Sequence, residues 1–154
     1  MSEGAKVPLR RFESGPDGYR WEGVERRAYK HDGAALFRDV TRQTLFSRED
    51  LAGELRYFEV APEGYSTLER HQHVHAVLIL RGRGAALVGE HTFAVAPFDL
   101  VTVPPVTWHQ FHAGADDPLG FLCMVNAARD RPELPDEAEL ERLRASSALA
   151  AFLR

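Results

Sequence analysis

The sequence has a single cysteine, Cys123, in 154 residues. An internal disulfide is therefore impossible, a fold held by crosslinks is excluded, and the thiol is expected to stay reduced. Long apolar runs are missing as well. Nowhere do the roughly 20 apolar residues of a bilayer-crossing helix occur, and the opening MSEGAKVPLRR has no apolar stretch of the secretory kind. There is no surplus of positive charge: 19 Lys and Arg against 23 Asp and Glu leave a formal net charge of −4. That removes the electrostatic footprint of a nucleic-acid binder. These absences lead us to expect a cytoplasmic protein whose partners include neither nucleic acid nor membrane. What is present, 44% apolar residues in a chain of this length, suits one compact domain with a sizeable core.

The pattern changes along the chain. Residues 1–50 (GYRWEGVERRAYK, ALFRDVTRQTLF) mix charge, aromatics and glycine without a sustained period. They are expected to form an N-terminal extension wrapped on the core. Residues 51–128 break into short runs of β type, ELRYFEV, HAVLILRG, AALV, HTFAV, LVTVPP, TWHQFHA and LGFLCMV, separated by turn residues. Strands this short and this regularly spaced predict an all-β sandwich or barrel. Residues 129–154 form a tail of another kind. Asp136 is placed as an N-cap with Glu139 three residues later, and Leu140, Leu143 and Leu149 fall near helical spacing, which predicts one C-terminal amphipathic helix.

Chemistry concentrates in ERHQHVHAV, residues 69–77. Glu69, His71, His73 and His75 occupy alternate positions, which would share one face of a strand if a strand runs through them. Histidines gathered in this way usually surround a divalent metal. Imidazoles with at most one carboxylate suit Mn, Fe, Co, Ni or Zn, whereas Ca and Mg want oxygen. Of these metals manganese is favoured. His31, His91 and His112 are expected to be ordinary surface or core residues. Trp108 and Phe111 are expected to pack the barrel, and Arg56, on an inward-type strand, is a candidate anion contact.

The stretches APEGYSTLERHQHVHAVLILRGRG and APFDLVTVPPVTWHQFHAGADDPLGFL resemble, in order and in spacing, the two motifs of the cupin superfamily. Gly82 and Gly84 stand for its Gly-x-Gly turn, PFD stands where the family has PGD, and PPVTWHQF supplies His109 as the last metal histidine. The resemblance implies a jelly-roll β-barrel with a metal in its mouth, commonly assembled as a homodimer. Counting back from Gly82 without a gap gives Glu69, His71, His75 and His109 as ligands, with His73 in a turn. Shortening one turn gives His71, His73, His75 and His109 instead. The gapless set is preferred, because a turn absorbs an odd residue more readily than a strand ladder does.

In GFLCMV, alternation puts Phe121, Cys123 and Val125 on one face, so the thiol either lines the barrel or packs behind it. Facing inward it would sit beside a cation that favours thiolate. Together with VTRQTLF, STLERHQHVHAV and PLGFLCMVNAARDRP, this resembles a cupin subgroup to which methylthioxylulose-phosphate sulfurylases belong. The resemblance implies a metal-dependent enzyme that cleaves the C–S bond of a small phosphorylated keto-sugar and gives deoxyxylulose 5-phosphate. Cys123 would be the nucleophile and His73 the acid. With no second cysteine to resolve the adduct, a soluble thiol such as glutathione is the expected co-substrate. The rival classes are a metal-dependent dioxygenase, a sugar isomerase and a non-enzymatic small-molecule binder, and none of these needs Cys123.

Overall fold

The computed structural model describes residues 8–29, 38–128 and 131–153. Among them the chain runs β1 (Phe12–Gly15), β2 (Gly18–Trp21), β3 (Arg26–Ala28), β4 (Arg38–Arg48), β5 (Gly53–Tyr65), β6 (His75–Arg81), β7 (Gly84–Val88), β8 (His91–Val95), β9 (Leu100–Val103), β10 (His109–Ala113), β11 (Leu119–Asn126), α1 (Glu137–Arg144) and α2 (Ser147–Phe152). The all-β architecture expected from the short runs is observed, as a curled antiparallel sheet with short helices at its C-terminal end.

Side-chain alternation sets the inner face. His75, Val77 and Ile79 of β6, Val101 and Val103 of β9, and Phe121, Cys123 and Val125 of β11 are buried, while Ala76, Leu100 and Met124 between them are exposed. β-branched side chains fit such a pleated surface, and burying each large apolar one contributes about 1.5–3 kcal/mol. β5 is the long spine. It pairs with β11 along one edge, with β4 along the other, and meets β10 where Tyr65 faces His112. From β11 the sheet continues through β6 to β9, and from β10 through β7 to β8. β1 and β2 form a separate hairpin, whose Tyr19 and Trp21 rings lie 6.0 and 5.0 Å from Tyr57 on the outer face of β5.

Two glycines are required by close backbone crossing. A Cβ at Gly82, where φ is +73°, would lie 1.9 Å from the Pro118 carbonyl oxygen, and one at Gly84 would lie 2.0 Å from that of His112. Phe98, in the turn where the cupin pattern has glycine, also has a left-handed φ of 73°, a region that bulky residues seldom occupy.

The tail departs from expectation. Asp136 does cap α1, through the capping box with Glu139, but the single helix expected beyond it is two. The chain turns extended at Ser146, with φ −81° and ψ 123°, because serine side chains offer the backbone alternative hydrogen bonds and favour helix ends. Leu149 still docks, joining Leu68 and Leu87 in a second small core. No helix among the described residues is long and apolar enough to cross a membrane.

Candidate metal and thiol centre

The segment entering the site runs extended along β10. Ser66 N–H donates to the Phe111 carbonyl at 2.9 Å, Glu69 and His109 exchange N–H···O bonds of 3.2 and 3.0 Å, and Val106 N–H donates to the His71 carbonyl at 2.6 Å. A bend follows at residues 72–73, and His75 opens β6. The histidine alternation is therefore not one strand, as the sequence pattern alone had allowed. His71 precedes the bend, His73 sits in it and His75 follows it.

Folding brings His71, His75 and His109 together: one ligand atom from each lies within 4.8 Å of the others, and all three residues are buried. His71 Nδ1 faces His75 Nε2 in close contact. The His109 Nδ1–H donates to the Thr107 carbonyl at 3.1 Å, which fixes the tautomer and leaves Nε2 as the donor atom. Burial, opposed in part by Glu69, pushes the His109 pKa down. Burial and then the neighbouring His71, His109, His73 and Arg56 hold His75 at about 2, so its ring is a neutral base at any physiological pH. Three buried imidazoles, two of them held through their second nitrogen, make a donor set that fits a divalent transition metal.

The other expected site residues take different places. Glu69 is buried and puts Oε1 3.2 Å from His71 Nε2, a position from which it can either join the ligand set or orient that ring. His73 is buried and stacks on His75, with ring centroids 4.5 Å apart and planes 10° apart. It is not among the residues that line the central cavity, which takes up about 530 Å³ with its mouth included. Cys123 does line it, with Sγ 3.2 Å from His75 Nδ1. Across β5 its register partner is Arg56, a buried guanidinium on the cavity wall that pairs with Glu54 at 2.6 Å. The rest of the wall is largely apolar, with Phe58, Phe121 and Val77.

His91 is exposed on β8, and His112 hydrogen-bonds Gln110 at 2.9 Å and stacks on Phe152 at 4.0 Å. His31 lies outside the described residues. Phe111 is in the main core and also reaches the cavity. Trp108 packs outside the barrel, against the second core and under the Arg70 guanidinium at 4.4 Å. Sequence reasoning passed over Arg70 and Glu54. Arg70 lies between two candidate ligands, where alternation must turn it away from the cavity, and its partners come from the distant tail, so no local pattern marks it.

The profile of the cupin domain matches residues 56–125. Across 146 residues the chain is 64% identical to the 1-methylthio-D-xylulose 5-phosphate methylsulfurylase of Rhodospirillum rubrum, covering 95% of this chain and 92% of that one. A cupin-2 domain crystal structure from Rhodospirillum rubrum superposes with a TM-score of 0.82 at 63% identity, over 94% of this chain and 95% of its own. A cupin 2 conserved barrel domain protein from Rhodopseudomonas palustris does so with a TM-score of 0.86 at 55% identity, over 95% and 99%.

Proposed function

This chain belongs to the cupin-domain family, and on that premise we propose that it is a thiol-dependent methylsulfurylase acting on 1-methylthio-D-xylulose 5-phosphate. The Rhodospirillum rubrum relative bears that activity as its name. The observation in this molecule that carries the reading is the position of Cys123, whose Sγ faces a histidine-lined cavity at 3.2 Å from His75 Nδ1. Neither a dioxygenase nor an isomerase has use for a thiol there.

The residues would work as follows. A divalent metal held by His71, His75, His109 and Glu69, manganese being favoured, would supply Lewis-acid stabilisation of negative charge beside the substrate carbonyl. The Cys123 thiolate, accepting a hydrogen bond from His75, attacks the sulfur that carries the methyl group. An S–S bond forms as the bond from that sulfur to the sugar carbon breaks, and the electron pair passes to the carbon and on to the adjacent carbonyl oxygen as an enolate. Cys123 is oxidised to a methyl disulfide and the sugar carbon is reduced. The sugar carbon then takes up a proton, giving 1-deoxy-D-xylulose 5-phosphate. His73, the acid expected from the sequence, does not line the cavity, so this proton has to reach the carbon from a cavity-lining group or from water.

The chain has no second cysteine. A soluble thiol, with glutathione as our choice, then attacks the methyl disulfide, frees Cys123 and carries off a methanethiol equivalent. A cytoplasmic setting would keep that thiol supplied. We also propose a homodimer, supported by the outer sheet face, where Phe46, Met124 and Leu100 are exposed on β4, β11 and β9, every second strand of that part of the sheet.

The test omits the thiol. Metal-loaded protein mixed with substrate should release one equivalent of product, stop, and gain the mass of one methylthio group on Cys123, and glutathione should reverse that gain. Sustained turnover without thiol, or no adduct, would overturn the covalent route.

A further inference from the structure

Arg70 lies between Glu69 and His71, and its contacts all lead away from the cavity. Its backbone exchanges both N–H···O bonds with Glu133 of the tail, at 3.1 and 2.9 Å. Its Nε–H donates to Glu133 Oε2 at 2.8 Å, and one terminal nitrogen lies 3.4 Å from Glu139 Oε1. The guanidinium plane covers the Trp108 indole at 4.4 Å, and Trp108 precedes His109. Glu139 is fixed in turn by its capping box with Asp136 at the start of α1.

The candidate ligand segment is thus the middle strand of a ribbon. Glu69 is bonded to His109 on one side, Arg70 to Glu133 on the other, and the His71 carbonyl returns to Val106. Metal-ligand geometry depends on what fixes the ligands from behind, and here the part behind is the C-terminal tail. We infer that Arg70 is a positioning residue, which acts through Glu69 and His71, and that the tail segment carrying Glu133 and Glu139 is a working part of the metal centre. This inference rests on the metal-binding reading above. Arginine suits the task because its rigid planar fork can lie flat on an aromatic face while its edge meets two carboxylates, whereas lysine offers a point charge with no plane to stack.

The experiment titrates the metal-stripped full-length protein with Co²⁺ and follows its visible ligand-field bands. Wild type comes first: failure of wild type to bind Co²⁺ would refute the metal reading itself, and with it this inference. Given binding, Arg70→Gln should weaken Co²⁺ affinity by about tenfold or more and shift the bands, with Arg70→Lys falling between it and wild type. Glu133→Gln acts on the same tie from the tail and should weaken binding in the same direction. The double variant should be no worse than the poorer single one, since both remove one interaction. Should Arg70→Gln fail to fold, Glu133→Gln alone decides. Unchanged affinity and bands in Glu133→Gln, or fully additive losses in the double variant, would overturn the inference.

Discussion

The Nδ1 atom of His75 lies 3.2 Å from Cys123 Sγ, while Nε2 of the same ring faces His71. One imidazole therefore touches both the candidate metal group and the only thiol of the chain. In the neutral ring, Nδ1–H can donate to sulfur when Nε2 is the unprotonated nitrogen, which is the tautomer a metal on Nε2 would select. A metal bound there and the presentation of Cys123 would thus be coupled through one side chain.

Cys123→Ser should separate the two. Oxygen replaces sulfur at nearly the same size and keeps a partner in His75, so metal content and fold should be retained. A serine hydroxyl cannot act as a thiolate, and methylthio transfer should fall by about three orders of magnitude or more. Metal analysis beside a turnover assay checks this. A serine variant with wild-type turnover would reduce Cys123 to core packing.

Removing an imidazole from the buried group should remove the metal. His71→Ala and His109→Ala are expected to purify with little metal and to lose the melting-temperature increase that metal gives the wild type, because a ligand bound only to the folded state adds stability. Metal retained at wild-type stoichiometry in both variants would rule out the assignment.

Glu69 and His73 discriminate the two ligand registers. Loss of metal in Glu69→Ala with retention in His73→Ala supports the gapless set, and the opposite pattern supports the shifted one. Glu69→Gln refines the answer. An amide oxygen can still face the His71 ring but is a poor metal ligand, so near-normal affinity in this variant would make Glu69 an orienting group.

How much of this was legible in the sequence follows the range of the interactions. The barrel strands were legible because alternation is local: LVTV and GFLCMV declare their buried faces by themselves. β4 carries no such alternation in RDVTRQTLFSR and is held by its register with β5. The His-rich stretch showed its composition but not its bend, since alternation by itself cannot show where a strand begins. The contact between Cys123 and His75 spans 48 residues and that between Arg70 and Glu133 spans 63. Pairings at such separations exist only once the sheet has closed.

Phe98 offers a test of backbone strain. Its φ of 73° lies where the family pattern has glycine, and its side chain is 79% exposed, so little apolar contact offsets the strain. A bulky residue held left-handed costs about 1–3 kcal/mol, against an added unfolded-state entropy for glycine of about 0.5–1 kcal/mol. Phe98→Gly should therefore raise the melting temperature by about 3 °C. An unchanged or lowered value would show that the ring is covered in solution, as it would be within a homodimer.

The buried imidazoles also set how the metal-free protein responds to acid. An unfolded histidine titrates near its ordinary value of about 6.5, whereas burial and its neighbours hold His75 at about 2 and burial pushes His109 below the ordinary value. Below pH 6.5 the unfolded chain therefore binds protons that the folded chain refuses, and stability falls with pH. The contribution of these two rings is fully present above pH 6.5 and is lost progressively on acidification toward their folded values. The exposed carboxylates held low by arginine, Glu25, Asp50 and Glu133, act in a separate and lower window, beneath the ordinary carboxylate range. Urea denaturation of chelator-treated protein should give a nearly flat midpoint from pH 8 to 7 and a steady decline from pH 6.5 to 5. Metal-loaded protein should follow the same direction, with an added drop where protons displace the cation. A midpoint constant from pH 7.5 to 5 in the metal-free protein would mean that these histidines are not held neutral by burial, and the donor set drawn for the site would then need revision.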